Sequence, residues 1–212
     1  MQRESYPSLM IAATNLSPAG AGGAVPLPLI PGLLFYVAVA GAAWGWRWAV
    51  DGVGPWALDQ GAAAMGPFTS GLMGLAAGLV LVGLSRVWTS ATASGTALAE
   101  ALGELVRGLS LPAVVLLALA SGLAEEMLFR GALQAQVGWL LASLLFGAAH
   151  YLPRPGLRIW ALFALLAGGI FGGLFVWTGT LVAPVAAHVT VNGLNLRWLS
   201  RARVAERRMG LG

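Results

Sequence analysis

The chain has 212 residues, of which 58% are hydrophobic and only 9% charged, with a formal net charge of +4. A soluble domain carries about 25% charged residues, so the composition excludes an ordinary soluble fold and points to an all-α, polytopic transmembrane helical bundle. Cysteine is absent and every positive charge is Arg, which removes disulfides, thiol nucleophiles, cysteine metal sites and Schiff-base lysines. The small net charge does not call for nucleic acid. The expected surroundings are membrane lipids.

Residues 1–31 read as a flexible lead-in, rich in Gly, Pro and Ala from position 14 onward. Arg3 is followed by Glu4, and the apolar run near 9–13 is too short for the core of a cleaved signal; the first span is expected to act as an uncleaved signal-anchor. About six spans follow, at 32–50, 66–85, 111–135, 137–152, 159–178 and 181–199, each near the roughly 20 residues a helix needs to cross a bilayer. The fourth is short and is expected to begin in the interface. Trp44, Trp46, Trp48, Trp88, Trp139, Trp160, Trp177 and Trp198 lie near span ends, as an aromatic belt would. The connection 86–110, with Glu100, Glu104 and Arg107, suits an interfacial helix.

Arg bias sets the orientation. Arg86, Arg107, Arg154, Arg158 and the tail residues Arg201, Arg203, Arg207 and Arg208 share one side in a topology with both termini inside. Asp51 and Asp59 then lie outside. The expected location is a bacterial inner membrane with both termini cytoplasmic. The organisation reads as lead-in 1–31, N-terminal helices and cytoplasmic connection 32–110, a helical core 111–199 and a basic tail 200–212. Gly74 with Gly78, and the set Gly168, Gly169, Gly172 and Gly173, read as helix-packing faces.

Three polar constellations interrupt this apolar background. Ionisable groups at bilayer depth are costly and by default mark a functional site facing the bundle interior. In Glu125-Glu126-Met-Leu-Phe-Arg130, the i,i+4 spacing stacks Glu126 on Arg130. Glu125 is rotated about 100° away and keeps no Arg beside it. A structural ion pair accounts for Glu126 and Arg130; it does not account for Glu125, which is left available as a general base. Phe146 and His150 share a helix face at i,i+4, as do His188 and Asn192. A lone histidine in an apolar helix is more often a core residue than a ligand. These are the only two in the chain, and each has an i,i+4 partner.

Depth unites the three. With a turn at Gly138, Glu125 and His150 each lie about 18 Å from it along antiparallel helices. With the next turn near Gly179, His188 is about 13 Å deep and Asn192 about 19 Å. All four converge in one slab somewhat past the midplane.

The motifs Glu-Glu-x-x-x-Arg, Phe-x-x-x-His and His-x-x-x-Asn, in this order, resemble those of the CPBP intramembrane proteases. That family includes the type II CAAX prenyl endopeptidases and bacteriocin-immunity (abortive-infection) proteins. The resemblance covers 111–199, and Gly131 completes a Phe-Arg-Gly sequence of the family's form. It implies an intramembrane endopeptidase in which Glu125 and His150 activate water, His188 and Asn192 stabilise the oxyanion, and Glu126, Arg130 and Phe146 support the site. The eukaryotic prenyl endopeptidases have more than six spans, so a lipidated CAAX-like substrate and another membrane-associated peptide both stay open. Glu125, His150 and His188 are also a donor set that a divalent metal such as zinc could use. The chain lacks a His-Glu-x-x-His helix, and the same groups serve a metal-free, glutamate-based mechanism. The alternative is a non-catalytic immunity or scaffold protein of the same fold.

Overall fold

The computed structural model describes residues 29–56 and 65–208. Most of the lead-in, Asp59 and the last four tail residues lie outside the described residues. All regular structure among them is helical: α1 Leu29–Asp51, α2 Pro67–Ala91, α3 Ala93–Leu105, α4 Leu111–Glu126, a π-helical segment Met127–Leu133, α5 Gln134–Ala149, α6 Trp160–Thr178 and α7 Val182–Arg208.

Local chemistry explains the boundaries. Pro67 and Pro112 occupy first-turn positions of α2 and α4, where a missing N–H costs nothing. Ser110 caps α4 by accepting from the Ala113 amide. Thr92 is extended, stops α2, and caps α3 by accepting from the Gly95 amide at 3.0 Å. α2 thus runs past its expected end at 85, and the rest of the 86–110 connection is largely helix α3, lying against α2 and α7.

Four stretches are long and apolar enough to cross a membrane: Leu29–Asp51, Pro67–Ala91, Leu111–Ala149 and Trp160–Thr178. The third is two helices in space. Gly138 has φ 80° and ψ 167°, a backbone that L side chains resist, and the chain breaks there. The run 139–149 beyond the break is about 16 Å long at 1.5 Å per residue, about half the hydrocarbon core. α7 is not among the four stretches; His188, Asn192, Asn195 and Arg197 interrupt its apolar run. Each of the six expected spans nevertheless has a helix at its place.

α7 is the hub, packing against α2, α4, α6 and α3. Its contact with α2 is close because of Gly74 and Gly78. A Cβ on Gly74 would lie 2.1 Å from the Ala183 carbonyl oxygen, and one on Gly78 would lie 2.7 Å from the Thr190 Cβ. Small residues that let backbones approach are what helix association in lipid requires. In the second glycine set, Gly168 and Gly172 are closed in by Phe146 and Trp139, whereas Gly169 faces open space and contributes its carbonyl, which accepts from Trp139 Nε1 at 2.8 Å. The outer faces carry exposed Leu34, Val80, Leu140, Leu166 and Val176. Such faces suit lipid, since all helix backbone groups are satisfied internally. At the end of α1, Arg47 pairs with Asp51, which also accepts from Gln136 Nε2 at 2.9 Å. The acidic position thus ties α1 to the start of α5.

Candidate active site

Glu125 and Glu126 end α4, where the backbone passes into the π-helical segment. Such segments widen the helix and recur at functional sites. The doublet points its carboxylates to different partners. Glu126 is 0% exposed and Arg130 1% exposed; Arg130 Nη1 donates to Glu126 Oε1 at 3.0 Å and Nη2 to the Gly168 carbonyl at 2.9 Å. The same Oε1 lies 2.7 Å from His188 Nδ1. Glu126 therefore joins α4, the π-helical segment and α7, while Arg130 reaches α6.

Glu125 has no such partner. Its Oε2 is buried, makes no hydrogen bond, and faces His150 Nε2 at 3.6 Å and His188 Nε2 at 4.0 Å. The second nitrogen of each ring explains why Nε2 is presented. His150 follows the last residue of α5, and its Nδ1 lies 2.8 Å from the Phe146 carbonyl oxygen. A carbonyl only accepts, so Nδ1 carries the proton. His188 Nδ1 likewise meets a carboxylate already bound to Arg130. Both imidazoles are thus oriented by their Nδ1 partners, with Nε2 towards Glu125.

Phe146 is the ring around which these groups pack. It lies 4.6 Å from His150, 5.9 Å from His188 and 4.9 Å from Phe129 between centroids, with the Arg130 guanidinium carbon 4.5 Å away. Phe171 stacks on His188 at 5.1 Å, and Trp160 meets His150 edge-on at 5.1 Å. Phe146 therefore contacts His188 and Arg130 as well as its i,i+4 neighbour.

Asn192 stands apart from the histidine pair. Its Nδ2 donates to Ser121 Oγ at 2.9 Å, and Ser121 donates to the Ala118 carbonyl. Ser121 is one turn before Glu125, as Asn192 is one turn after His188, so the two pairs form adjacent layers between α4 and α7. The side chain of Tyr36 of α1 lies near enough to Glu125 and Ser121 to interact with both. No motif in the sequence marks Tyr36; its signal is a polar tip in the apolar run of the first span. Tyr36, Ser121 and Asn192 line a cavity of about 290 Å³ that extends between α1, α2, α3, α4, α6 and α7.

Among the described residues no set of three or more His, Cys, Asp or Glu side chains is arranged to hold a metal ion. The pairwise approaches of Glu125 to the two histidines are therefore not matched by a shared coordination point. His188 Nδ1, the other potential donor of that ring, is engaged by Glu126. Among the described residues these side chains are not gathered into a metal site, and no step is routed through one.

Residues 107–194 match the family model of the type II CAAX prenyl endopeptidases, Rce1-like. An uncharacterized protein of Bacillus subtilis (strain 168), YpbD, is 39% identical over 87 residues, which is 40% of this chain and 44% of that protein. The chain thus spans less than half the length of this curated relative. No solved structure matches. The resemblance read from the three motifs holds over 107–194, and with the apolar helices it makes the chain an integral membrane protein.

Proposed function

We propose that this chain, similar over residues 107–194 to the type II CAAX prenyl endopeptidases, is an intramembrane endopeptidase of the glutamate type. The observation that carries the reading is the approach of two histidine Nε2 atoms to one unpartnered carboxylate oxygen, Glu125 Oε2. The three groups come from the end of α4, the end of α5 and the second turn of α7. A structural carboxylate at this depth has a cation or several N–H donors on both oxygens, as a buried charge requires.

In the mechanism, Glu125 and His150 Nε2 hold a water, and Glu125 takes its proton as the oxygen attacks the peptide carbonyl. His150 keeps its Nδ1 proton on the Phe146 carbonyl, so its Nε2 lone pair stays aimed at the water. The remaining N–H of Asn192 faces the developing oxyanion, and His188, whose Nδ1–H stays on Glu126, joins it when its Nε2 also carries a proton. Glu125 then passes its proton to the leaving amine as the C–N bond breaks. The products are a carboxylate on one fragment and an amine on the other. The substrate is a membrane-anchored peptide, of which a lipidated CAAX-like C-terminus is one form. The cytoplasmic face, with both chain ends on it, is the side of entry, and 111–199 is the catalytic core.

Purified protein in liposomes, given a farnesylated peptide, tests this. Wild type should release a C-terminal fragment detectable by mass spectrometry, and Glu125→Gln and His150→Ala should lower the rate by at least about 10²-fold. Full turnover by folded Glu125→Gln contradicts the reading and favours a binding or scaffold role.

A further inference from the structure

Arg86, near the C-terminal end of α2 and outside the segment that matches the family model, lines the same cavity as Tyr36, Ser121 and Asn192. Its guanidinium is held in place on two sides. Nη2 donates to the Leu194 carbonyl at 3.2 Å, and the guanidinium carbon sits 3.8 Å from the centre of the Trp198 ring. Nη1 is buried and has no hydrogen-bond partner. A buried donor on a charged group left unpaired is costly, and in a native structure it asks for a reason. A planar cation at a cavity wall, fixed by stacking and with one N–H left unpaired, is the complement of a carboxylate.

We infer that Arg86 binds the free α-carboxylate at the C-terminus of the substrate peptide. This rests on the endopeptidase reading and adds to it a specificity-determining residue. The spacing fits. Along α7, the anchor points Leu194 and Trp198 lie two and six residues beyond Asn192, about 3 and 9 Å along the axis. An extended peptide advances about 3.3 Å per residue, so one to three residues separate the scissile bond from the carboxylate. The cavity walls between are mostly apolar, including Leu117, Val191 and Leu196. They accept apolar side chains on the fragment that leaves. A phosphate from a lipid headgroup offers the same anionic chemistry, but the cavity that Arg86 lines is also lined by Ser121 and Asn192, which lie one helical turn from Glu125 and His188, and this places a peptide there rather than a headgroup.

Binding reads this without turnover. Folded Glu125→Gln protein in phosphatidylcholine nanodiscs is titrated with a farnesylated peptide ending in a free acid and with the same peptide ending in an amide. The free acid should bind roughly tenfold or more tightly, the scale of a hydrogen bond to a charged group. Adding Arg86→Gln should bring the free acid down to the amide's affinity and leave the amide unchanged, which also reports that the fold is intact. Arg86→Lys should keep part of the preference. Equal affinity for the two peptides with Arg86 intact, or binding of neither, overturns the inference. So does competition by phosphatidylglycerol nanodiscs together with an acid-to-amide ratio of one, which assigns Arg86 to lipid phosphate. A preserved ratio in a wild-type protein that cleaves neither peptide overturns the endopeptidase reading alone.

Discussion

Breaking the Arg130–Glu126 pair should be far more damaging than removing it. Both side chains are essentially unexposed, and the guanidinium is shared between Glu126 and the Gly168 carbonyl. Arg130→Met leaves Glu126 as a buried carboxylate held only by His188 Nδ1 at 2.7 Å. Removing one partner of a buried pair costs about 3–5 kcal/mol because an uncompensated charge remains. Glu126→Gln leaves an unpaired guanidinium and should cost a similar amount, while its amide oxygen still accepts from His188. The double variant Glu126→Gln/Arg130→Met orphans neither charge. It should be more stable than the sum of the singles by about 2–3 kcal/mol, the upper range of coupling between contacting residues. Unfolding in mixed detergent micelles, followed by tryptophan fluorescence, supplies the cycle. Additive single costs would refute the reasoning, since they would mean that the two charges do not depend on each other.

Gly78→Leu should destabilise the α2–α7 contact by about 1–3 kcal/mol or more, because even a Cβ there meets Thr190 at 2.7 Å; the same unfolding titration measures it. Tyr36→Phe should lower peptide hydrolysis about tenfold while leaving the unfolding midpoint nearly unchanged, because the lost hydroxyl acts on Glu125 and Ser121. An unchanged rate would remove Tyr36 from the site. Gly138→Val should cost about 1–3 kcal/mol, since φ 80° is strained for a β-branched residue, and should lower turnover by displacing His150 at the far end of α5.

The site was legible where helical geometry converts sequence distance into depth. A rise of 1.5 Å per residue, counted from turns at Gly138 and Gly179, places Glu125, His150 and His188 at comparable depths, and the backbone turns at both glycines. Pairings along one helix were equally readable, as with Arg130 on Glu126 and Phe146 against His150. Contacts between helices were not. That Glu126 accepts from His188, that Asn192 spends its amide on Ser121, and that Tyr36 reaches Glu125 depend on how α1, α4 and α7 rotate about their axes. Spacing within one helix carries no information on that rotation. The π-helical turn after Glu126 also has no spacing signature, since Met127–Leu133 is apolar except for Arg130. The fold class followed from composition alone. The number of crossing helices did not, because Gly138 divides one continuous apolar run and polar positions interrupt α7.

The most direct test of the central claim compares the termini of membrane proteins, by mass spectrometry, between cells carrying the wild-type chain and cells carrying Glu125→Gln at equal membrane levels. Proteolysis centred on Glu125 predicts that uncleaved C-termini accumulate in the variant while the matching trimmed ends disappear. Identical termini in the two strains, with a farnesylated peptide also left intact by the purified wild-type protein, would contradict it.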